Sequence, residues 1–360
     1  MKKLERVLIM AGGTGGHVFP GLAFAAHLRE QGVVVHWLGT KEGLEARLVL
    51  ASNLPLHFIS IQGVRGKGMT SFLRMPFKMI SAILQAMRVL YSVKPQVVIG
   101  MGGFVSAPGG IAAWLMRYPL VIHEQNAKTG LANQLLSLLS KKNCAGFETA
   151  FQVSPKTKVI GNPVRAEILR LLPPRDRLLP AHIPFHLLVL GGSRGARAIN
   201  KLVPQALASL PAVRRPMVLH QTGNGHFDDT KNLYKSLGLD CDLKCFIDNM
   251  AEAYAWADLV ICRAGALTVA ELCTAGLGAI FIPYPYAVDD HQTANAHMMV
   301  QKKAALCYKE SELSSVELAE IINQFSQMPL KRLAMAEAAY RLRRQDVSQN
   351  MYDICLEVMH

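Results

Sequence analysis

Short, mostly apolar runs recur along the chain at residues 7–10, 33–38, 97–99, 120–122, 187–190, 218–220, 259–261 and 279–282, each ending in a glycine-rich or polar turn. An apolar run without alternation fits a strand buried on both faces, and such strands belong to parallel sheets covered by helices. Between the runs lie segments with helical spacing, among them 21–31, 131–139, 196–210 and 316–327. Alternation of the two patterns specifies doubly wound parallel α/β sheets. Two of the turns resemble each other: Gly12-Gly-Thr-Gly-Gly16 follows the first run and Gly191-Gly-Ser-Arg-Gly195 follows run 187–190, an offset of 179 residues. Each half therefore begins with strand, glycine-rich turn and helix. At 360 residues the chain exceeds what one hydrophobic core usually organises. Pro173, Pro174, Pro180 and Pro184 mark a connection, placed at 165–184. The expectation is two Rossmann-like domains, 1–164 and 185–340, facing a cleft, with a terminal helix over about 341–360 packing back on the first.

Charge separates the two halves. The net charge is +13, with eighteen basic against six acidic residues in 1–160 and twenty-one against twenty in 161–360. No acidic residue stands between Glu45 and Glu124, where Arg47, Arg65, Lys67, Arg74, Lys78, Arg88, Lys94 and Arg117 all fall. An anionic partner for the first half follows: nucleic acid, a membrane surface or a phosphorylated substrate. The first ten residues lack the apolar core of a signal peptide, which predicts a cytosolic protein. Seven scattered cysteines fit reduced thiols, and Cys241-x3-Cys245 has no second ligand pair to complete a zinc site. Residues 97–116 are uncharged and 20 long, but five glycines, Ser106 and Pro108 break them into a strand, a turn and the start of a helix. An amphipathic helix is expected over 76–91, with Lys78, Ser81, Gln85 and Arg88 on one stripe and Met79, Ile83, Met87 and Leu90 opposite. It packs on the sheet or touches anionic lipid.

Several turns carry chemistry. Glycines at 12–16 let backbone approach a ligand, and the helix that follows offers N–H groups to a phosphate or sugar; a tight strand-to-helix turn would look the same. Neither a dinucleotide fingerprint nor a Walker A loop can be completed there. His17 follows at a helix start, where the dipole favours a neutral imidazole, as a base or merely as a cap. In Gly63-Val-Arg-Gly-Lys-Gly68, Arg65 and Lys67 could clamp a pyrophosphate or simply be solvated. In His123-Glu-Gln-Asn126, Glu124 reads as a base or as an orienting group, and Asn126 could bond a sugar hydroxyl. Cys262-Arg-Ala-Gly-Ala-Leu-Thr-Val-Ala-Glu271 runs from strand to helix and places Glu271 in the first turns, to accept ribose hydroxyls or only to complement the dipole. Asp289-Asp-His-Gln292 resembles a metal site, but sequential side chains point different ways.

The ordered set GGTGGHVFP (12–20), GVRGKG (63–68), GGFVSAPG (102–109), HEQN (123–126), GNPVR (161–165), GGSRGA (191–196), CRAGALTVAE (262–271) and DDHQ (289–292) closely resembles the MurG family of bacterial peptidoglycan transferases, glycosyltransferase family 28. The resemblance implies a GT-B fold and an inverting transfer of N-acetylglucosamine from UDP-GlcNAc to the MurNAc 4-hydroxyl of lipid I, giving lipid II. It implies no cofactor or metal, peripheral attachment to the cytoplasmic face of the inner membrane through its anionic surface, and cell-wall synthesis and division proteins as partners. It makes His17 the general base and puts Thr14, Gly15 and Gly16 near the transferred sugar. Asn126 and Arg165 would contact the donor, Ser193 its diphosphate, and Ile247 the uracil through its backbone. Ala266, Leu267, Thr268, Val269, Ala270 and Glu271 would cradle diphosphate and ribose, Gln292 the GlcNAc, and Arg65 and Lys67 the acceptor diphosphate. Arg194 and Gly278 depart from the family's usual Gln and Pro. Rival readings are a GT-B UDP-GlcNAc epimerase and a membrane scaffold. Nucleic-acid binding is disfavoured, because no RNP or helix-turn-helix signature is present.

Overall fold

The computed structural model describes residues 3–61, 75–178, 185–192 and 195–359. The chain divides into two compact units, Met1–Pro163 with Arg344–His360, and Val164–Arg343.

The first unit is built on a seven-stranded sheet of order β3-β2-β1-β4-β5-β6-β7, parallel throughout. Its strands are β1 (Arg6–Met10), β2 (Val34–Gly39), β3 (Leu56–Phe58), β4 (Val97–Gly100), β5 (Leu120–Glu124), β6 (Lys142–Ala145) and β7 (Thr157–Val159). Strand order reverses between β1 and β4, with Met10 opposite Gly100. That reversal opens a crevice at the carboxyl ends of the strands. Alternate residues feed opposite faces. Val7, Ile9 and Trp37 join Phe24, Leu28, Met351 and Ile354 of the helices Gly15–Glu30 and Val347–Glu357. Leu8, Met10 and Val98 join Ala82, Ala86, Ala112 and Leu136 of the helices Met75–Val93, Ser106–Leu115 and Leu131–Leu139. The uncharged stretch 97–116 is thus β4 and the helix Ser106–Leu115, and no helix among the described residues is long and apolar enough to cross a membrane.

The helix expected over 76–91 runs from Met75 to Val93 and adds a feature to the expected stripe. It buries Ala82, Ala86, Leu90 and Val93, while Phe77, Ile80, Leu84 and Tyr91 face outward with Lys78 and Arg88. Two alanines occupy the middle of the buried face, and both of the helix's aromatic side chains, Phe77 and Tyr91, are left outside. The helix expected from residue 21 starts earlier, at Gly15. Glycines disfavour a helix intrinsically, but tertiary packing overrides propensity at a first turn whose N–H groups need no acceptor within the helix.

The second unit carries a six-stranded parallel sheet of order β10-β9-β8-β11-β12-β13. Its strands are β8 (His186–Leu190), β9 (Met217–Gln221), β10 (Asp242–Lys244), β11 (Leu259–Cys262), β12 (Ala279–Phe281) and β13 (Ala305–Cys307). Its reversal falls between β8 and β11, the counterpart of β1 and β4. The core joins Leu187, Val189 and Ile261 to Ile199, Val203, Ile322 and Phe325 of the helices Arg197–Ala208 and Ser315–Gln327. The described part of the proline-rich segment holds two short helices, Ala166–Leu169 and Pro174–Arg177, and lies in this unit. The Arg177 guanidinium donates to the carbonyls of Tyr254, Ala275 and Gly276, closing the ends of the helices Met250–Trp256 and Ala266–Ala275.

Candidate functional site

In the first unit the candidate residues gather where β1, β4 and β5 end. Glu45, known from the sequence only as the edge of the acid-free stretch, organises the first turn. Its buried carboxylate accepts from the Gly13 N–H at 3.1 Å, the Thr40 N–H at 3.0 Å and the Thr40 hydroxyl at 2.7 Å. The Ser106 hydroxyl lies 3.0 Å from Met10 O and 2.8 Å from Gly102 O, tying the turn after β1 to the turn after β4. Those turns are close enough that a Cβ on Gly103 would sit 2.2 Å from Gly12 O.

Thr14 and His17 face each other across the first helical turn, with Thr14 Oγ1 3.2 Å from His17 Nδ1. Gly15 and Gly16 open the helix between them. The other edge of the imidazole rests on Gly102, whose φ is +93°. A Cβ there would lie 2.7 Å from His17 Cδ2 and 3.0 Å from Nε2. Gly102 therefore makes the room in which the imidazole lies.

Glu124 is an orienting group. Its Oε1 accepts from the backbone and side-chain amides of Asn126, both at 3.1 Å, and its Oε2 accepts from the Gly130 N–H at 3.1 Å and Asn133 Nδ2 at 2.9 Å. Four donors fix the buried carboxylate, which in turn aims Asn126 and closes the start of the helix Leu131–Leu139. Beside it, His123 Nε2 lies 2.9 Å from Gly161 O and His123 Nδ1 3.1 Å from Gln125 Nε2. Burial lowers the His123 pKa, favouring the neutral ring. Arg65 and Lys67 lie outside the described residues.

In the second unit, Gly191 and Gly195 flank Ser193 and Arg194, which lie outside the described residues. Buried Ile247 gives its N–H to Gln221 Oε1 at 3.0 Å, so the end of β9 fixes the segment whose backbone was expected to meet uracil. The helix Ala266–Ala275 starts after Gly265, with Leu267 and Thr268 half-buried, Val269 buried and Ala270 half-buried. Its opening N–H groups point from the carboxyl end of β11, the geometry of an anion site.

Glu271 is not in the first turn of that helix, which holds no acidic residue, so the helix dipole is not what steadies it. It is buried, and burial raises its pKa against the opposing pull of Arg165 and Tyr254. Arg165 NH2 reaches Oε1 at 3.0 Å and the Tyr254 hydroxyl donates to Oε2 at 2.9 Å. Arg165 and Glu271, 106 residues apart, thus form one ion pair. Sequence reading missed Tyr254, because a tyrosine in a half-apolar helix carries no signal of its partner. Gln292 accepts the Tyr284 N–H at 2.9 Å, which holds the loop beyond β12. Among the described residues no group of three or more His, Cys, Asp or Glu could hold a metal ion.

The model for the glycosyltransferase family 28 N-terminal domain matches residues 7–143, and that for the family's C-terminal domain matches 186–351. A protein of Nitrosococcus oceani named UDP-N-acetylglucosamine–N-acetylmuramyl-(pentapeptide) pyrophosphoryl-undecaprenol N-acetylglucosamine transferase is 52% identical over 98% of both chains. One of Stutzerimonas stutzeri with the same name is 49% identical over 98% of this chain and 99% of its own. The crystal structure of Acinetobacter baumannii MurG superposes with a TM-score of 0.81 at 40% identity, covering 98% of this chain and 99% of that one. With matches of that identity over the whole length, the chain belongs to glycosyltransferase family 28 and, within it, to the MurG family.

Proposed function

We propose that the chain is an inverting hexosyltransferase that moves N-acetylglucosamine from UDP-GlcNAc to the MurNAc 4-hydroxyl of lipid I, the undecaprenyl-diphosphate-linked MurNAc-pentapeptide, forming lipid II. The observation that carries this reading is the full-length identity to transferases of that name. The residue geometry supports roles for each unit. His17, oriented by Thr14 and seated on Gly102, takes the proton of the acceptor hydroxyl as that oxygen attacks the anomeric carbon. The UDP oxygen leaves with the electron pair of the broken glycosidic bond. Backbone N–H groups at the start of the helix Ala266–Ala275, with Ser193, stabilise the growing diphosphate charge. Glu271 accepts the ribose hydroxyls, the Ile247 backbone reads uracil, Asn126, Arg165 and Gln292 complete the donor contacts, and Arg65 and Lys67 meet the acceptor diphosphate.

The enzyme works at the cytoplasmic face of the inner membrane. Three neighbouring helices supply the surface for it: Phe77 (76% exposed), Ile80 and Leu84 from one, Trp114 and Leu115 from the next, and Leu131, Leu135 and Leu138 (75%) from the third. Lys78, Arg88, Arg117, Lys128 and Lys141, all exposed, lie on or next to the same three helices. Apolar side chains that enter the headgroup boundary, with cations on or next to the same helices, suit an anionic leaflet.

Radiolabelled UDP-GlcNAc and a soluble lipid I analogue test the reaction. The wild type transfers label to the analogue, and His17→Ala loses about 10²–10⁴-fold in turnover while still binding UDP-GlcNAc. Near-normal turnover in that variant would remove the base assignment. Formation of UDP-ManNAc from UDP-GlcNAc alone would establish the epimerase instead.

A further inference from the structure

We infer that Tyr254 is a positioning residue for the donor's ribose: its hydroxyl holds the Glu271 carboxylate in the one orientation that recognises the 2′-hydroxyl. The inference rests on the reading of Glu271 as the ribose acceptor. Glu271 is 5% exposed, and its two oxygens are held by donors from two separate segments, Arg165 NH2 on Oε1 at 3.0 Å and the Tyr254 hydroxyl on Oε2 at 2.9 Å. A carboxylate oxygen accepts about two hydrogen bonds, so each retains capacity for a ribose hydroxyl while the plane of the group is fixed. Without the tyrosine hydroxyl only Arg165 would fix that plane, and Oε2 would lose a donor in a desolvated place.

Tyr254 is itself firmly placed. Its ring is buried, and burial raises its pKa well above the ordinary range, so the hydroxyl stays a donor. Its carbonyl accepts from Arg177 NH1 at 2.5 Å, and the same guanidinium reaches Gly276 O at 3.3 Å, just past the helix that carries Glu271. One arginine therefore registers the tyrosine-bearing helix against the glutamate-bearing one. Such support around a binding group sets its precision without touching the ligand.

The test compares UDP-GlcNAc with its 2′-deoxyuridine analogue in wild type, Tyr254→Phe and Glu271→Ala, using a soluble lipid I analogue as acceptor. Tyr254→Phe keeps the buried ring and removes only the hydroxyl. Its KM for UDP-GlcNAc should rise about tenfold with little change in kcat, as expected for one hydrogen bond to a charged group. Its KM for the deoxy analogue should move far less, so the preference for the 2′-hydroxyl collapses. A ratio of two donors on one preparation is independent of the folded fraction, so lost stability alone cannot mimic this. If both KM values move together, or neither moves, Tyr254 does not position the ribose acceptor. If Glu271→Ala retains the full preference, the ribose reading itself has failed; if Glu271→Ala loses it while Tyr254→Phe keeps it, only the tyrosine inference falls.

Discussion

His17 and Gly102 show how much a single Cβ can decide. The imidazole lies where a side chain at residue 102 would have to go, and the +93° φ of that glycine is a conformation that other residues adopt only under strain. Gly102→Ala should therefore displace the ring rather than merely destabilise the turn. Turnover is expected to fall by about 10²-fold, the usual cost of a displacement near 1 Å at a reacting group. Affinity for UDP, measured by calorimetry, should stay unchanged because the donor contacts proposed for the second unit are untouched. Wild-type turnover in this variant would mean that the contact is incidental. The neighbouring acids teach the opposite lesson: Glu45, held by two backbone N–H groups and a hydroxyl, and Glu124, held by four N–H donors, shape the turns around the histidine.

At the scale of elements, the helix Met75–Val93 carries its information in side-chain size as much as in polarity. Ala82, Ala86, Leu90 and Val93 form its inner face, and Phe77, Ile80, Leu84 and Tyr91 stand outward with Lys78 and Arg88. A helix that served only the core would invert this arrangement. Lys78→Glu with Arg88→Glu should lower binding to vesicles rich in anionic lipid by several kcal/mol, since each basic residue near such a surface contributes about 1 kcal/mol and reversal also adds repulsion. Co-sedimentation with anionic and neutral vesicles reads this, and activity on a soluble acceptor should persist. Retained binding to anionic vesicles would assign the contact to another surface.

For the whole molecule, the decisive feature is connectivity, because the last helix, Val347–Glu357, belongs to the unit that the chain left at residue 163. It completes the first core through Met351 and Ile354, and Glu357 bridges Lys142 and Lys158, each at 2.7 Å. The lysine at 142 and then that at 158 lower the Glu357 pKa from the ordinary 4.5 to about 2. A depressed carboxylate pKa contributes stability above pH 4.5 that is lost as pH falls toward 2. These are exposed pairs, worth about 0.2–1 kcal/mol each after solvent screening. Glu357→Gln should consequently unfold with a flatter pH dependence than wild type across that window in urea titrations, and the difference should shrink in 1 M salt. Identical pH profiles would show that the bridge contributes nothing. Much of this architecture was legible beforehand. The central strands, the helix Leu131–Leu139 and the paired glycine turns announce two parallel α/β sheets, because buried parallel strands and the tight glycine-rich turns that end them impose composition over consecutive residues. The strands Leu56–Phe58, Lys142–Ala145, Thr157–Val159, Asp242–Lys244 and Ala305–Cys307 did not stand out, being only three or four residues long. Nor did the roles of Glu45, Gly102, Arg177 and Tyr254, whose partners lie between 5 and 99 residues away. The sequence by itself determined the sheet class, the two glycine turns and the family, since each is written in neighbouring residues. Only tertiary structure decided which carboxylates are saturated, which face of a helix is left bare and what holds Glu271, because hydrogen bonds and burial depend on residues that meet solely when the chain is folded.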